Sequence, residues 1–592
     1  MNAKIFFPLF ILNYLLFSSC TQQELHYIEA ESFTNKGGWV VDQQFTEEMG
    51  SPYLMAHGMG IPVTDAIHNS TLPTPGNYHV WARTKNWVPG NWEAPGKFKL
   101  FINGTALQHE LGLKQEWTWE YAGETDLVES SIELTLHDLT GFNGRVDAVF
   151  LSTVKQPPPD SKDELSAWKK ENLAIPDIEE KSFDLVITGG GIAGCAAAIA
   201  AAEQGLQVAL IHDRPVLGGN ASAEVRVHTL GIYGHFERIL KMIDTEHYPN
   251  GSPEANKDQE KRRQNMAKYK NIHLYLNYRA YNAYSNKNFI EHVDAKHTTN
   301  GSTIRFTAPL FADCTGDGWI GYWAGAEYMY GRESMNKYNE SWQEHGELWS
   351  PEEPDNRVMG SSLLWRSVET DTAHTFPEVP WAIEVAKNHS AKNGEWYWEY
   401  STNDLHQADD AEKIRDHLLN AIYGSFYNEK QKPGNENLKL GWVSYVLGKR
   451  ESRRLVGDYI YTFNDMRDNR TFEDSVVVES REVDVHYQLF ITYPDTVDFL
   501  SRALFYPVEK YYIPYRSLYS KNVDNLFMAG RCFSCSHIGL GGPRVMRSTG
   551  QMGAAVGLAA ALCKNYGVNP RDVYTSYLKE YWEIIEKQKN QN

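Results

Sequence analysis

Three glycines with a fixed spacing, Gly189, Gly191 and Gly194, directly follow an apolar stretch in the middle of the chain. Residues 183–188 predict a buried strand, and the alanine-rich segment after the glycines predicts a helix. In such a turn the first glycine permits a tight bend, the second lets backbone approach a pyrophosphate, and the third brings helix and strand together. The helix N-terminus offers its free N–H groups to the phosphates. The spacing therefore predicts a dinucleotide-binding βαβ unit.

The acidic side chain that holds the adenosine ribose is expected at the end of the second strand of this unit. In the sequence LQVALIHD that position falls near His212, and Asp213 comes one residue later. Either Asp213 reaches the ribose after a small shift, or His212 donates to it. We prefer Asp213.

Three further segments favour FAD over NAD. The Gly-Gly pair in RPVLGGNAS resembles the flavoprotein loop along the FAD pyrophosphate, and FADCTGDG and NLFMAGRC resemble the strands that re-enter and close such a domain. A helix after the last segment would direct its N-terminus at the flavin carbonyl edge and stabilise the reduced ring. The cofactor contacts predicted from these segments are Arg214, Gly218, Gly219, Asn220, Ser222, Thr315, Gly316, Asp317, Gly530, Arg531 and Gly542.

Oxidation of a C–OH group requires a base for the hydroxyl proton and an acceptor for the hydride. His537, after the closing strand, is the first candidate for the base, and Arg544 could hold a substrate oxygen or the flavin carbonyl. Asp484 and His486 form a second candidate pair, because alternate residues of a strand share a face. Arg226 and His228, which follow the Gly-Gly loop, complete the catalytic candidates. The charge cluster at 449–454 (KRESRR) is interpreted as ion-paired scaffold of the substrate domain.

The N-terminal third has a different pattern. Short strands such as GNYHVWART and SIELTLHD alternate with Gly, Pro and Asn turns over residues 25–153, which predicts an antiparallel β-sandwich. Glu29, Glu31 and Asp147 resemble the acids that hold a structural calcium in carbohydrate-binding sandwich modules, and carboxylates suit that ion. The alternative is that they cap strands in water. Trp81, Trp87, Trp92, Trp117 and Trp119 are candidates for sugar stacking, with 87–96 interpreted as an exposed loop.

The sequence thus predicts a multidomain protein in which a β-sandwich precedes a two-part α/β Rossmann-like FAD-binding domain with an inserted substrate (cap) domain. The expected parts are a signal at 1–20, the sandwich at 25–153 and a Pro-rich, charged linker at 154–182 with one helical turn. The FAD domain is expected at 183–325 and 519–592, and the cap at 326–518.

The first twenty residues predict export. Lys4 precedes an apolar run too short to span a bilayer, followed by Ser18, Ser19 and Cys20. This arrangement resembles a bacterial lipoprotein signal in which Cys20 becomes the acylated first residue. We therefore expect a periplasmic or cell-surface protein whose membrane contact is that lipid anchor, the alternatives being ordinary secretion or an uncleaved anchor.

Charge and cysteine usage exclude other classes. A net charge of −19 argues against a nucleic-acid partner, which requires a positive surface. After Cys20, five cysteines remain, an odd number that does not suggest a disulfide framework. Cys532 and Cys535 have a redox or zinc spacing without a second ligand pair, so buried free thiols are expected.

The stretches VALIHDRPVLGGNAS, ADCTGDG, GKRESRRLVGDY and LFMAGRCFSCSHIGLGGPRVM resemble bacterial FAD-dependent oxidoreductases, whose layout is related to that of fumarate reductase/aspartate oxidase flavoproteins. The resemblance covers residues 183 to about 570. Members with an N-terminal sandwich are sometimes labelled xanthan lyases, a label that the sequence does not support. The family implies flavin chemistry but not the substrate.

Together these features predict an exported FAD-dependent oxidoreductase that oxidises a carbohydrate hydroxyl. Because only one GxGxxG motif is present, we expect electrons to pass to an acceptor other than NAD. The alternatives are a surface glycan-binding protein that keeps the flavin fold for structure, and an enoate reductase of the fumarate type.

Overall fold

The computed structural model describes residues 24–174, 177–340, 346–402, 404–488 and 496–589. The predicted signal at 1–20 and the acylation site at Cys20 lie outside these residues. Within the described ranges, no helix combines the length and apolarity needed to cross a membrane.

Two antiparallel sheets form the N-terminal region, as the alternating pattern predicts. Their inner faces share one core that includes Ile28, Leu54, Val80, Leu100 and Leu134, which is the arrangement of a sandwich. The first sheet has strands Leu25–Glu29, Val40–Asp42, Tyr53–His57, Gly76–Thr84, Thr118–Leu127 and Phe142–Ser152, and the second has Ala66–Thr71, Phe98–Ile102, Thr105–Ala106 and Ser131–Asp138.

The predicted linker contains a packed helix that is longer than the one helical turn expected. A helix spans Lys162–Asn172, with the Ser161 side chain accepting from the Glu164 amide at its N-terminus. Its apolar side, which includes the buried Leu165, packs on a sandwich cluster around Trp119. The Pro-rich composition therefore marks the entry to the helix and not a mobile spacer.

The dinucleotide-type unit is a five-stranded parallel sheet. In spatial order its strands are Ile272–Leu276, Val208–His212, Leu185–Thr188, Leu310–Asp313 and Leu526–Met528. Helices Ile192–Glu203 and Met546–Tyr566 cover one face, and the sheet of strands Glu179–Ser182, Tyr278–Asn286, Phe289–His297 and Thr303–Thr307 covers the other. Helices Glu237–Ile243, Ala255–Met266, Pro570–Ser576 and Leu578–Lys589 complete this part.

Small residues bring the two covering helices into close contact. A Cβ on Gly553 would lie 2.0 Å from the Ala193 carbonyl oxygen, and one on Gly557 would lie 2.4 Å from that of Ala197. The glycine- and alanine-rich sequences of both helices therefore set their separation, and with it the position of both N-termini at one edge of the sheet.

The cap region is built around helix Ala411–Lys430, which packs on helix Pro380–Ala386. Its other helices are Met335–Tyr338 and Phe463–Arg467. Its strands are Tyr328–Met329, Trp365–Glu369, Asn393–Gly394, Leu438–Val443, Arg454–Leu455, Ser475–Glu479, Val483–Gln488, Ser501–Tyr506 and Tyr511–Pro514.

Buried ion pairs join the sandwich to the cap. The guanidinium of Arg145 contacts Glu412 at 2.9 Å and also Asp416, and Arg415 contacts Asp42 at 2.7 Å. These side chains are almost fully buried. Such pairs add little net stability, but removing one partner leaves an uncompensated charge. The network therefore defines the orientation of the sandwich on the cap.

Candidate functional site

A cleft of about 1350 Å³ opens where the carboxyl ends of the parallel strands meet the cap. This is the edge at which open α/β sheets bind ligands. Predicted cofactor residues that line the cleft are Gly189, Gly191, His212, Asp213, Arg214, Gly218, Gly219, Asn220, Thr315, Gly316, Asp317, Gly530 and Arg531, and the catalytic candidate Arg544 lines it too.

The three motif glycines have different structural roles. Gly189 has φ +108°, and a Cβ there would lie 2.2 Å from the Cys314 carbonyl oxygen. A Cβ on Gly194 would lie 1.9 Å from the Gly189 oxygen, so this glycine permits close packing of helix on strand. A Cβ on Gly191, by contrast, would meet nothing closer than the Gly219 Cα at 4.0 Å and would enter the cleft.

The Gly-Gly loop forms the opposite wall. The Gly218 N–H donates to the Gly190 oxygen of the motif at 2.9 Å. Among the described residues, the one atom near a Cβ on Gly219 would be the Gly191 Cα. The two loops thus leave between them a cradle whose walls carry no side chain. Arg262 lies buried behind the second loop and donates to the Ala221 oxygen at 3.1 Å, so its positive charge favours an anion in the cradle. This cradle fits the pyrophosphate of FAD.

The ribose end of the cleft assigns different roles to the two neighbours His212 and Asp213. The Nδ1 atom of His212 accepts from the Gly190 N–H at 3.1 Å, and Nε2 lies 3.0 Å from the Val216 oxygen, to which it donates. Burial lowers the pKa of His212 to about 4, so the ring is neutral. With both ring nitrogens engaged, His212 braces the glycine turn, and the alternative in which it binds the ribose does not fit.

Asp213 is the remaining candidate for the ribose hydroxyls. Its Oδ2 accepts from Arg279 at 2.9 Å, and its side chain stays partly open to the cleft. Burial alone would raise the Asp213 pKa, but the charges of Arg279 and Arg214 outweigh it and lower the pKa. Asp213 is therefore an ionised acceptor. No sequence motif pointed to Arg279, which comes from strand Tyr278–Asn286 of the covering sheet.

A second charged group lines the middle of the cleft. Asp317 lies 2.6 Å from Lys449 and 3.5 Å from Arg531. Burial would raise the Asp317 pKa, yet these two cations lower it. Arg531 retains a buried Nη1 without a hydrogen-bond partner, and Thr315 bonds to Asp313 at 2.7 Å. Lys449 thus belongs to the cleft, in contrast to the interpretation of the 449–454 cluster as scaffold alone.

The N-terminus of helix Met546–Tyr566 faces the cleft through Met546 and Thr549. Its free N–H groups and positive dipole end suit the carbonyl edge of a flavin, where they stabilise negative charge on reduction. Gly542, also predicted as a cofactor contact, does not line the cleft, because it packs against the Tyr511 hydroxyl. Ser222 is likewise buried behind the Gly-Gly loop and off the cleft lining.

His537 forms a buried pair with a glutamate from the KRESRR segment. Its Nδ1 lies 2.8 Å from Glu451 Oε2, and because a carboxylate only accepts, Nδ1 carries the proton. Burial would raise the Glu451 pKa, but His537 and Arg454 lower it. The other ring nitrogen, Nε2, is buried and has no hydrogen-bond partner among the residues that the structure describes. His537 does not line the cleft, and its Nε2 is the ring nitrogen available for the role of a general base.

His486 forms a similar pair with Glu399, at 2.7 Å from Nδ1. Asp484 lies 3.4 Å from the other His486 nitrogen and 2.9 Å from Arg544, so this chain of side chains reaches the cleft. Burial and the charge of Arg450 lower the His486 pKa. The Met359 N–H donates to Glu451, and the Gly360 N–H donates to Glu399. Because Met359 and Gly360 are adjacent in the chain, they bring the two histidine–glutamate pairs together.

Arg226 and His228 lie away from this group and do not line the cleft. Arg226 stacks on Trp442 at 4.2 Å with φ +61°, and His228 packs on His247 at 4.6 Å. Their proximity to the Gly-Gly loop in sequence does not carry them to the cleft, because the chain turns away after Ser222. The structure gives them no catalytic partner.

The predicted calcium ligands do not form a cation site. Glu29 is bonded to Lys169 at 2.7 Å and Asp147 to Arg83 at 2.8 Å. Burial and the charges of Glu29 and Asp147 raise the Glu31 pKa well above its usual range. Across the described ranges, no group of three or more metal-ligating side chains was found. Basic side chains thus compensate Glu29 and Asp147.

The tryptophans do not form the expected stacking platform. Trp87 is buried against Trp381 of the cap, and Trp92 donates to Glu384 at 2.9 Å. Trp81 and Trp119 are buried, and Trp117 packs on Tyr53. Trp87 and Trp92 therefore contact the cap, while residues 89–93 of the loop are exposed, as expected. Cys195, Cys314, Cys532, Cys535 and Cys563 are free and buried, which confirms the expectation for the described thiols.

Comparison with known proteins identifies the family. The sequence model of the FAD dependent oxidoreductase family matches residues 184–581. Urocanate reductase of Eggerthella lenta is 34% identical over 99 residues, which cover 16% of this chain and 16% of that protein. The match therefore spans only a small part of that relative's length.

Solved structures with a similar chain include flavoprotein reductases. A geranylgeranyl bacteriochlorophyll reductase-like protein from Thermoplasma acidophilum is 12% identical (TM-score 0.31, 69% of this chain, 84% of that one). Quinol fumarate reductase of E. coli is 13% identical (0.27, 68% and 74%), and a family 35 carbohydrate binding module from Clostridium thermocellum is 18% identical (0.18, 22% and 96%). At these TM-scores the likenesses carry no argument. The family match, which covers most of the chain, shows that this protein belongs to the FAD-dependent oxidoreductase family and is an FAD-dependent oxidoreductase.

Proposed function

We propose that this protein is an exported, lipid-anchored flavoenzyme that oxidises a carbohydrate hydroxyl and passes the electrons to an acceptor other than a nicotinamide nucleotide. When bound in the cleft, FAD supplies the hydride acceptor. The chain itself must supply the base and the groups that hold the substrate. The proposal rests mainly on the hydrogen bonding of the His537 ring.

The hydrogen bonding of His537 suits removal of a hydroxyl proton. Its Nδ1–H is bonded to the Glu451 carboxylate, and its Nε2 has no hydrogen-bond partner. As Nε2 takes the hydroxyl proton, the ring becomes an imidazolium, which the neighbouring carboxylate stabilises. The carbinol hydrogen leaves as hydride, so the C–OH group becomes a carbonyl. The substrate thus loses one proton to the base and one hydride, which carries two electrons, to the acceptor.

The balance of charges at the cleft favours a neutral substrate. Arg544 and Lys449, which line the cleft, are paired with Asp484 and Asp317. A dicarboxylate would have to compete with these carboxylates for their cations, whereas sugar hydroxyls bond to both partners of each pair. Paired charges therefore support a hydroxyl-rich ligand over an anion.

The electron acceptor and the location rest on the sequence. The single GxGxxG motif supports an acceptor other than NADH, and the segment ending at Cys20 supports export with a lipid anchor. Globomycin-sensitive processing and loss of membrane association in Cys20→Ala would test the anchor. Unchanged membrane association of that variant would contradict it.

The catalytic proposal is tested by anaerobic incubation of the FAD-loaded protein with a library of glycosides. We expect a glycoside to bleach the flavin band and an artificial acceptor to restore it. His537→Asn, which retains a polar side chain without an imidazole base, should bind FAD and fail to bleach. A library in which no sugar bleaches the flavin, while other alcohols do, would refute the carbohydrate assignment.

The alternative function is reduction of an enoate. It is supported by the short match to a protein named urocanate reductase. Photoreduced protein mixed with urocanate or fumarate distinguishes the two reactions. Rapid reoxidation by an enoate, with no bleaching by any sugar, would favour the reductase, and the reverse pattern would favour the oxidation proposed above.

A further inference from the structure

A segment of the sandwich reaches into the cofactor cleft. Gln44 and Phe45, just before helix Thr46–Met49, line the cleft with the glycine loops of the FAD domain. The Gln44 amide bonds to the cap in both directions, since its Oε1 accepts from the Leu447 N–H at 2.9 Å and its Nε2 donates to the Tyr445 oxygen at 3.0 Å. The sandwich therefore forms part of the cleft wall.

One turn further, Glu47 is connected to the ribose carboxylate through a shared arginine. The carboxylate of Glu47 accepts from Arg279 Nη2 at 2.6 and 2.5 Å, and Arg279 Nη1 donates to Asp213 Oδ2 at 2.9 Å. Burial alone would lower the Arg279 pKa, but Glu47 and Asp213 raise it. One cation thus neutralises two acids from different domains.

The segment is held in place by the ion pairs between sandwich and cap. Asp42, two residues before Gln44, is fully buried against Arg415 at 2.7 Å and accepts from the Tyr53 hydroxyl at 3.1 Å. Because a buried charge cannot leave its partner cheaply, the backbone that carries Gln44 and Glu47 has a fixed position relative to the cleft.

We propose that the sandwich completes the FAD site, with Glu47 and Arg279 acting as positioning residues for Asp213. Glu47 holds one side of the Arg279 guanidinium, so that Arg279 presents a single N–H to Asp213. Without Glu47, the guanidinium is free to bind Asp213 with two N–H groups and occupy the carboxylate that accepts the ribose hydroxyls. The sandwich thus contributes to cofactor affinity, independently of which substrate the enzyme oxidises.

The test is the FAD dissociation constant of the full-length protein, measured by quenching of flavin fluorescence on titration of the FAD-free form. We expect Glu47→Gln to raise it about tenfold, because one charge-assisted interaction at the ribose is weakened. The matched control is Glu124→Gln, which removes a sandwich carboxylate 3.7 Å from His79 and away from the cleft. It should leave the dissociation constant unchanged. Equal affinity of Glu47→Gln and the control would overturn the proposal.

A double variant tests the route through Asp213. If Glu47 acts by positioning Asp213, then Glu47→Gln combined with Asp213→Asn should bind FAD no more weakly than Asp213→Asn alone. Additive losses would overturn that route. Thermal melting of the FAD-free variants shows whether a loss of FAD affinity reflects a loss of folding. Arg279→Lys is a second variant, in which one cation can no longer bridge both acids. It should also weaken FAD binding, and unchanged binding would contradict the proposal.

Discussion

His212 is buried as a neutral ring with both nitrogens hydrogen-bonded, and this state has a measurable consequence for the stability of the protein. Replacement by Asn keeps an acceptor near the position of Nδ1 for the Gly190 N–H, but it removes the donor to the Val216 oxygen and the titratable ring. At about pH 7.5 the loss of that donor should destabilise the FAD-free protein by about 1–2 kcal/mol.

The effect of pH has a definite sign. The pKa of His212 falls from 6.5 to about 4 on folding, so between these values the unfolded chain binds a proton that the folded chain does not. The contribution of His212 to the free energy of unfolding is present in full above pH 6.5 and falls as the pH is lowered towards 4. Below pH 4 it changes no further. The shift corresponds to roughly 3 kcal/mol. His212→Asn lacks this loss and should become the more stable protein near pH 4.5.

Urea titrations of both FAD-free proteins, followed by tryptophan fluorescence at about pH 7.5 and 4.5, measure this difference. The other buried histidines are present in both proteins and cancel in the comparison. We expect the order of midpoints to reverse between the two conditions. A difference in unfolding free energy that is the same at both pH values would refute the argument that His212 is buried in its neutral form.

Three further outcomes are expected. His537→Asn should lower the rate of flavin reduction by at least about 100-fold with FAD content unchanged. The control His273→Asn, at an exposed position, should have no effect. Equal rates for both variants would contradict the role of His537 as base. Gly557→Val should destabilise the FAD-free protein by about 3 kcal/mol or more, seen as a lower melting temperature, because its side chain would meet the Ala197 oxygen. The described thiols should resist iodoacetamide at about pH 8, since burial raises the pKa of Cys532 and Cys535; rapid labelling of either would show that it is accessible.

Local patterns predicted the elements that carry the cofactor. The motif glycines were recognisable because a turn from strand to helix around a pyrophosphate needs their conformational freedom at a fixed spacing. The alternation of apolar residues predicted strands such as Gly76–Thr84 and Ser131–Asp138. These features depend on residues close together in sequence.

Contacts between distant segments could not be predicted in this way. Arg279 and Glu47 are separated by 232 residues, and neither lies in a recognisable motif. Composition also led to a wrong expectation at Trp87 and Trp92. Their aromatic side chains suggested sugar stacking, but both contact the cap. The acids Glu29 and Asp147 matched a ligand pattern, whereas Lys169 and Arg83 from elsewhere in the chain compensate them.

The central claim is that FAD lies in the cradle between the two glycine loops, and Gly191→Ala tests it most directly. Gly191 has φ −69°, which alanine adopts readily, and the new Cβ would contact no atom of the protein closer than 4.0 Å. Only a bound cofactor would meet this methyl group. We predict that the FAD-free variant melts at the native temperature but binds FAD at least about tenfold more weakly. Native FAD affinity in this variant would contradict the assignment of the cradle.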